Sequence, residues 1–525
     1  MRPRPGRLVR ALRNLAAFGA LVVSAVLGLR AFYALPSLDA RTVSAAIPAS
    51  AETTLGAAIL PDAARHPGLS GVFALENGID AFAARMSLAL AAEHSIDAQY
   101  YIWQDDLTGL RLLSELSAAA TRGVRVRLLV DDNGTPALDQ ELLALSALPS
   151  AEVRIFNPFV LRAPRGLNYM FDFSRLNRRM HNKSFTVDGV VTIVGGRNIG
   201  NLYFETGSGH LYSDLDVMAF GPAAADVGAD FDRYWNSHSA YPVELLVKPE
   251  PGGGTRLAAR DAALRETAQA ELYGQAVRSS RLSALIRDRS LPIEWTRVRL
   301  FSDDPAKALG QVNGEALMFS LLMAEIERPA HSFDSVSAYF VPGRQATRML
   351  AGMAQRGIKL RTLTNALEST DVAPVHSGYI GYRDALVDAG VEVWELKSEG
   401  GERKSVDDFG IIGISRTALH AKTFQIDGRR AFVGSFNFDP RSKRLNCEMG
   451  LMIDSPALAG LISGWLDREL PRLAYRVLRD ASGGLVWIDR SGAGEETVWT
   501  HEPNTTWPLR TAVWMIGFLP VEWLL

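Results

Sequence analysis

One pattern occurs twice in the chain and constrains its fold more than any other feature. Residues 181–198 and residues 420–437 both follow the spacing H-x-K-x4-D-x6-G-[GS]-x-N. From His181 to His420 the offset is 239 positions, and it is the same for every matched residue. A repeat at one constant offset predicts that the chain contains two copies of a single structural unit.

Strand-like segments accompany the pattern in the same order in both halves, with helical segments between them. They read as buried strands and cover 97–103, 124–130, 153–156, 335–341, 358–364 and 391–394. Strands that alternate with helices predict an α/β fold with a mixed or parallel sheet in each half. Because they fall where a buried strand is expected, Tyr100, Tyr101 and Trp103 are interpreted as core residues.

These patterns divide the chain into five predicted segments. They are an N-terminal membrane anchor or signal segment, a first repeat, a connector, a second repeat and an apolar C-terminal segment. The expected bounds are 1–40, 41–245, 246–295, 296–490 and 491–525. The connector opens with prolines and glycines and continues as a charged helical stretch, which is typical of a segment between two units.

The matched residue types suit phosphoryl transfer. Residues two apart on a strand point the same way, so the His and Lys of each copy share one face. Paired histidines can act as nucleophile and general acid, while lysines and asparagines donate to phosphoryl oxygens. Two lysines already neutralise a phosphate, so we expect neither a metal nor another cofactor. The candidate set is His181, Lys183, Asn198, His420, Lys422 and Asn437.

The duplicated pattern resembles the HKD signature of the phospholipase D superfamily, and the resemblance covers roughly residues 70–480. More narrowly, the chain is similar to the bacterial cardiolipin synthase C group. The segments that carry this closer likeness are 97–106, 172–183, 194–200, 434–442 and 519–525. The resemblance implies two α/β/α repeats that pack about a pseudo-twofold axis and share one active site.

The resemblance also implies roles for several carboxylates. Asp188 and Asp427 match the motif aspartates, which are usually structural partners within the motif. An imidazole needs an acceptor that orients its second nitrogen. Glu448 is similar to the family's carboxylate for the second histidine of the pair, and its counterpart in the first copy is Asp214 or Asp216.

Further positions are expected to contact substrate. Ser435 and Gly196 are matched in the two copies, but Gly196 stands where many family members carry a hydroxyl residue. Only its backbone N–H could therefore donate there. Arg175, Arg178 and Arg179 precede the first motif and are candidates to receive a lipid headgroup phosphate. The alternative is that these arginines are solvated or ion-paired.

The N-terminus looks like a membrane segment. Five arginines precede an uncharged, almost wholly apolar run over 15–29, which fits a secretory signal or a single anchor. Small-x-small cleavage candidates at 43–45 and 49–51 lie well beyond the run, which favours an uncleaved anchor. The arginines predict a cytoplasmic N-terminus and a body on the periplasmic side of a bacterial inner membrane.

The C-terminal end is also apolar. Tryptophans stand at 507, 514 and 523, but the 11 uncharged residues between Arg510 and Glu522 are too few to span a bilayer. Two interpretations are open. The segment forms a monotopic patch at a membrane interface, or it packs on the body of the protein.

Charge and cysteine content exclude some classes of protein. The chain has 56 Lys and Arg against 58 Asp and Glu, and residues 1–30 hold six arginines and no acid. The remainder therefore carries a net charge of −8, which argues against bulk electrostatic binding of nucleic acid. A single cysteine, Cys447, excludes an intramolecular disulfide and a Cys-based zinc cluster.

The resemblance implies a membrane-associated phosphatidyltransferase whose partners are anionic and zwitterionic phospholipids. It would make cardiolipin from phosphatidylglycerol and either phosphatidylethanolamine or a second phosphatidylglycerol. The intermediate would be a phosphohistidine on His181 or His420, with His181 favoured by analogy. Hydrolysis, which releases phosphatidic acid, begins with the same step and is the nearest alternative. A nucleic-acid phosphodiesterase and an inactive membrane scaffold are more distant alternatives.

Overall fold

The computed structural model describes most of the chain. The described residues are 7–204, 214–326, 329–370, 372–398, 419–490, 496–519 and 522–524. Some positions used in the sequence predictions lie outside them, namely the first two arginines before the apolar run, Arg2 and Arg4, and part of the closing 519–525 segment.

A nine-stranded mixed sheet organises the first half of the chain. Its strands are β1 (Ser70–Leu75), β2 (Ser95–Ile102), β3 (Arg125–Gly134), β4 (Ala151–Phe156), β5 (Ser184–Val187), β6 (Val191–Gly195), β7 (Asp216–Phe220), β8 (Ala240–Pro242) and β9 (Glu294–Thr296). They are ordered β8-β4-β3-β2-β5-β6-β7-β1-β9. Strands β2, β3 and β4 are parallel, and the other neighbours are antiparallel.

A ten-stranded sheet organises the second half in the same way. Its strands are β10 (Val298–Ser302), β11 (Ser332–Ser337), β12 (Lys359–Asn365), β13 (Glu392–Leu396), β14 (Lys422–Ile426), β15 (Arg430–Gly434), β16 (Met449–Ile453), β17 (Ala474–Arg479), β18 (Leu485–Asp489) and β19 (Thr497–Trp499). They are ordered β10-β16-β15-β14-β11-β12-β13-β17-β18-β19. Read from β17, the first eight strands repeat the order of the first sheet, so the predicted duplication in an α/β fold is confirmed.

The described residues form 16 helices around these sheets. They are α1 (Arg7–Phe32), α2 (Thr54–Arg65), α3 (Gly78–Ala91), α4 (Leu107–Thr121), α5 (Asp139–Ser146), α6 (Tyr169–Leu176), α7 (Pro222–Trp235), α8 (Gly253–Arg265), α9 (Ala268–Arg278), α10 (Arg281–Arg287), α11 (Met318–Ile326), α12 (Gly343–Gln355), α13 (Ala373–Asp388), α14 (Pro440–Arg444), α15 (Pro456–Leu473) and α16 (Trp507–Ile516). Helices α8, α9 and α10 occupy the segment predicted as a connector, and they bury Leu257, Tyr273 and Leu282 in the core of the first unit.

An apolar layer joins the two units. Val194 and Val217 of the first sheet share one buried cluster with Val433 and Leu451 of the second. Burial of such side chains is the main favourable term in packing two sheets together. The second strand of each motif, β6 or β15, therefore lies at the contact between the repeats, as a pseudo-twofold arrangement requires.

The Asp-Gly turn inside each motif has a clear local cause. Asp188 and Gly189 both have positive φ, at 52° and 66°, and join β5 to β6 as a tight hairpin. The Asp188 carboxylate accepts backbone N–H groups of residues 93–95 at the start of β2. Asp427, with φ 56°, does the same for residues 330–332 before β11. Each aspartate thus locks the motif hairpin to its neighbouring strand.

Helix α1 is the one candidate membrane span among the described residues. Its stretch Val9–Phe32 has 24 residues with a mean hydropathy of 2.0, and none of its apolar window is buried in the protein. A helix of this length can cross the hydrocarbon core of a bilayer. At its C-terminal end it contacts α6, where the Tyr33 ring stacks on Phe171 at 5.4 Å between centroids.

Candidate active site

Backbone contacts bring the two motifs together. The His181 N–H donates to the Cys447 carbonyl at 2.8 Å, and the Cys447 N–H donates to the Arg179 carbonyl at 2.9 Å. These bonds join the chain that leads into β5 to the chain that leads into β16. Lys422 is close enough to His181 to act electrostatically on its pKa, and Lys183 acts likewise on His420. Residues of both halves therefore form one site.

His181 is oriented by two acceptors. Its Nδ1 lies 2.8 Å from Glu448 Oε2 and 3.1 Å from the Ser435 carbonyl. Since both partners only accept, Nδ1 carries the proton and Nε2 keeps its lone pair. Burial lowers the pKa of His181 to about 4, against the opposing attraction of the Glu448 carboxylate. At neutral pH the ring is thus uncharged and has the tautomer that a nucleophile needs.

His420 has a similar environment with a different carboxylate. Its Nδ1 lies 2.6 Å from Asp214 Oδ2, and this aspartate is buried. Burial, with the nearby Lys422 ammonium, lowers the pKa of His420 to about 3. Burial opposes ionisation of Asp214, but the hydrogen bond and charge of His420 outweigh it and lower that pKa to about 2.

The pairing of histidines with carboxylates corrects the sequence prediction. Glu448 was expected to orient the second histidine, but it binds His181, while Asp214 of the first repeat binds His420. The cause is the bond between His181 and Cys447, which places the following Glu448 against the other repeat. Asp216, the open alternative to Asp214, is instead held by Arg85, whose guanidinium donates to it at 2.8 Å.

The lysines and asparagines present polar groups at the same place. Lys183 Nζ donates to the His181 carbonyl at 2.6 Å, and Lys422 Nζ donates to that of His420. Burial holds the pKa of Lys183 well below its usual value, so an anion beside it would restore the charged form. Asn198 Nδ2 is a buried donor with no partner among the described residues, and the same holds for Asn437 Oδ1 as an acceptor.

Gly196 and Ser435 are engaged by protein groups instead of facing substrate. The Gly196 N–H donates to the Leu215 carbonyl at 3.3 Å, and a Cβ built on it would overlap the Asp214 carboxylate. The Ser435 hydroxyl donates to Glu448 Oε2 at 2.5 Å. Ser435 therefore holds Glu448 in place, and the missing side chain at Gly196 leaves room for Asp214. The contact with phosphate expected of both residues stays a prediction.

We expect Gly196→Ala to lower transferase activity about 10- to 100-fold, because the new methyl group displaces Asp214 from His420. Ser435→Ala is the matched control on the other repeat, since it removes a hydrogen bond to Glu448 without filling space. The loss of transferase activity in Ser435→Ala should be smaller than in Gly196→Ala. Both losses are measured as turnover of purified variants whose thermal unfolding midpoints are equal. Full activity of Gly196→Ala would contradict the steric role of Gly196.

The three candidate headgroup arginines differ in their contacts. Arg179 is buried and donates to Asp131 at 2.9 Å, which ties it to the end of β3. Arg175 donates to Asp172 at 2.5 Å and to Asn157. Both guanidiniums are thus committed to protein partners. Arg178 differs, because it lines an open cleft at the surface.

An aromatic residue beside the site was misassigned from sequence. Tyr100 and Trp103 are buried as predicted, but the Tyr101 ring packs edge-on against His181, with centroids 5.0 Å apart. Adjacent residues of a strand point to opposite faces, so Tyr101 lies on the face of β2 opposite to Tyr100, and that face meets His181. That alternation was the available signal. Tyr203 packs against His420 at the same centroid distance, and no motif marks it.

No cluster of three or more His, Cys, Asp or Glu side chains within the described ranges could hold a metal ion. The polar groups at the site are those described above: two imidazoles, two lysine side chains and two amides. Such groups favour binding and transfer of an anionic phosphoryl group.

Comparisons with known proteins agree with this geometry. A family model described as "Cardiolipin synthase, PLD-like domain" matches residues 87–235 and 322–470, together more than half of the chain. Cardiolipin synthase C of Escherichia coli K12 is 48% identical over 471 residues, which cover 90% of this chain and 99% of the relative. A Helicobacter pylori protein of uncharacterized function is 32% identical over 86% of this chain and 88% of its own length.

Among solved structures, phosphatidylserine synthase of Haemophilus influenzae superimposes with a TM-score of 0.54 at 13% identity. The match covers 89% of this chain and 99% of that one. At that identity the likeness establishes the fold alone. The two matched repeats and the E. coli relative show that this chain belongs to the PLD-like cardiolipin synthase family.

Proposed function

We propose that the protein transfers a phosphatidyl group from one phospholipid to the hydroxyl of another and so makes cardiolipin. The observation that carries this proposal is the reciprocal pair of oriented imidazoles, His181 with Glu448 and His420 with Asp214. Two neutral imidazoles in one buried site can divide the roles of nucleophile and proton carrier. The E. coli relative, named a cardiolipin synthase, supports the choice of lipid substrates.

In the first step, the His181 Nε2 lone pair attacks phosphorus and forms a P–N bond. The P–O bond to the leaving alcohol breaks, and His420 gives its Nε2 proton to that oxygen. The bound phosphate and Asp214 both favour the protonated form of His420 beforehand. In the second step, His420 takes the proton of the incoming hydroxyl, whose oxygen attacks phosphorus while the P–N bond breaks.

The remaining matched side chains suit the charge on the phosphoryl group. Lys183 and Lys422 would neutralise its oxygens, and Asn198 would donate its unpartnered Nδ2–H. Their burial strengthens each of these interactions, because water does not screen charges in the site. The same burial limits access of water to the intermediate, which favours transfer over hydrolysis.

The route to a bilayer supports a lipid substrate. Tyr101, which touches His181, accepts a hydrogen bond from Asn133 at 3.2 Å, and Asn133 accepts one from Tyr169 at 3.3 Å. Tyr169 is the first residue of α6, the helix on which the α1 span packs. The reaction centre is therefore linked by direct contacts to the segment that would meet the membrane.

Lipid analysis tests the proposed reaction. Purified protein in mixed micelles should convert phosphatidylglycerol to cardiolipin, and added phosphatidylethanolamine should change the yield if it is a co-substrate. Because transfer and hydrolysis share the first step, products separated by mass spectrometry distinguish them. Cardiolipin supports the proposal, whereas phosphatidic acid alone would replace it with a hydrolase. The His181→Ala variant, purified in the same way, is the negative control and should form neither product.

We also propose that the body lies on the periplasmic side, because arginines precede the α1 span. Ala481→Cys in the exposed turn between β17 and β18 provides a label site, while native Cys447 is buried and serves as the unreactive control. A membrane-impermeant maleimide should label the variant in intact spheroplasts and leave the parent chain unlabelled. Labelling that requires lysis would place the body in the cytoplasm.

A further inference from the structure

An open cleft lies at the surface between α11, α14 and the C-terminal turn Glu522–Leu524, with a volume of about 670 Å³. We call it the basic cleft. Its chemistry is set by three cations and an apolar floor, namely Arg178, Lys443, Arg444, Phe319, Met323 and Trp523. Among the lining residues that the structure describes there is no acidic side chain, and no member of the His, Lys and Asn motif set. The cleft is therefore separate from the reaction centre.

Among the residues that the structure describes, no carboxylate forms an ion pair with a cation of the basic cleft. Arg178 donates to the Ser174 carbonyl at 2.5 Å, and its Nε has no partner among the described residues. Lys443 Nζ lies 4.1 Å from the centroid of the Phe319 ring, with its nearest oxygen partner, Gln345 Oε1, at 3.5 Å. Burial and the neighbouring Arg444 lower the pKa of Lys443. Three cations thus converge on one surface pocket and favour an anion there.

The other half of the lining is apolar. Phe319 and Met323 lie on α11, and Trp523 of the C-terminal turn lines the same cleft with half of its surface exposed. Tryptophan favours the interface of a bilayer, where its ring meets both acyl chains and headgroups. A ligand that matches this lining carries a phosphate next to hydrocarbon, which describes a phospholipid.

One guanidinium connects the basic cleft to the anchor side of the molecule. Arg441 donates to Asn177 Oδ1 at 2.6 Å, directly after α6, and to the Leu524 carbonyl at 3.1 Å. The C-terminal turn is therefore bound to the end of α6. Helix α6 in turn holds α1, through the stack on Phe171 and the Arg30–Asp172 pair at 3.7 Å. The cleft is therefore connected through α6 to the C-terminal end of α1.

Exposed apolar side chains also lie on α6 and on the C-terminal segment. Met170 on α6 is 70% exposed, Trp514 on α16 is 62% exposed, and Phe518 after it is 70% exposed. Helix α16 also packs on the body, since Val513 is buried and its carbonyl accepts the Ser377 hydroxyl at 2.7 Å. One face of α16 therefore packs on α13, as one of the two sequence interpretations predicted, and the other face presents Trp514 outward. The monotopic patch stays a prediction.

We propose that the basic cleft binds the phosphate of one acidic phospholipid in the bilayer that α1 enters, and thereby seats α6 and the C-terminal segment on that bilayer. The lipid is held and not consumed. Arg178, Lys443 and Arg444 contact its phosphate, while Trp523 lies among the upper acyl carbons. Because binding requires no turnover, this proposal stands or falls independently of the transfer reaction.

Quenching of Trp523 fluorescence by brominated lipids tests the site. The full chain, carrying His181→Ala so that no lipid is converted, is placed in phosphatidylcholine nanodiscs. These contain a minor fraction of either brominated phosphatidylglycerol or brominated phosphatidylcholine. Subtraction of the Trp523→Phe variant isolates the signal of this residue. We expect brominated phosphatidylglycerol to quench it with about a fivefold preference, since cations near a bilayer concentrate acidic lipid by about that factor.

The double variant Lys443→Gln/Arg444→Gln should remove the preference for the acidic lipid. Arg278→Gln/Arg287→Gln is the matched control, because it removes two exposed cations of α9 and α10 that do not line the cleft. It should leave the preference unchanged. Equal quenching by the two lipids, or quenching by neither, would overturn the proposal. So would a preference that survives the cleft variant or disappears in the control.

Discussion

Replacement of His181 by alanine should abolish formation of the covalent intermediate, whereas replacement of His420 should not. A phosphatidyl ester of 4-nitrophenol separates the two roles, because its acidic leaving group departs without a proton from the protein. With this substrate, His420→Ala should release one equivalent of nitrophenolate per protein and then stall, because His420 is also the base of the second step. His181→Ala should show no burst and lose at least about 10⁴-fold in rate.

With natural phospholipids both variants should be severely impaired, since an alkyl alcohol needs the proton that His420 supplies. We expect a loss of about 10²- to 10⁴-fold for His420→Ala there. His238→Ala is the control, because this histidine is exposed and lies outside both motifs. A burst in His181→Ala with none in His420→Ala would reverse the assignment. A normal burst in both would rule out a histidine nucleophile.

Local sequence patterns were sufficient to predict the central strands of both sheets. Apolar runs read as buried strands identified β2, β3 and β4 and their counterparts β11, β12 and β13 to within a few residues. The constant offset identified the repeat, because both copies keep the same Asp-Gly hairpin and the same strand order. Such features depend on residues close together in the chain, and these are what a single sequence displays.

Contacts between the repeats were not predictable in the same way. The pairing of Glu448 with His181 depends on how the end of β15 and the start of β16 meet the first unit. The sequence of each repeat does not show whether its carboxylate orients the histidine of the same repeat or that of the other repeat. The orientation of Tyr101 was in principle available from strand alternation, but which face of β2 meets the other repeat is a property of the assembled core.

The arginines before the first motif show a second limit. Composition alone presents Arg175, Arg178 and Arg179 as one basic cluster, which suggests a common role. In the fold, Arg179 is neutralised by Asp131, a residue 48 positions earlier. Arg175 is held by Asp172, and only Arg178 reaches the basic cleft. Net charge in a sequence window therefore does not indicate which cations remain available for a ligand.

Each carboxylate orients the histidine of the other repeat, which we call crossed pairing. The nitrophenyl ester also tests this pairing. Glu448→Gln should behave like the His181 variant and lose the burst, because an amide no longer fixes the tautomer that exposes the Nε2 lone pair. Replacement of an orienting carboxylate by its amide can lower turnover about 10⁴-fold. Asp214→Asn should behave like the His420 variant, keep the burst and fail with natural lipids.

If each carboxylate served the histidine of its own repeat, the two variants would exchange behaviours, so one experiment separates crossed from uncrossed pairing. Asp467→Asn, a change at an exposed carboxylate on α15, controls for a loss of charge in the second repeat. The unfolding midpoints of all three variants have to be measured, because Glu448 and Asp214 are buried. A full burst in both folded variants, Glu448→Gln and Asp214→Asn, would show that His181 needs no orienting partner. The reciprocal contact could then not be the basis of the shared active site.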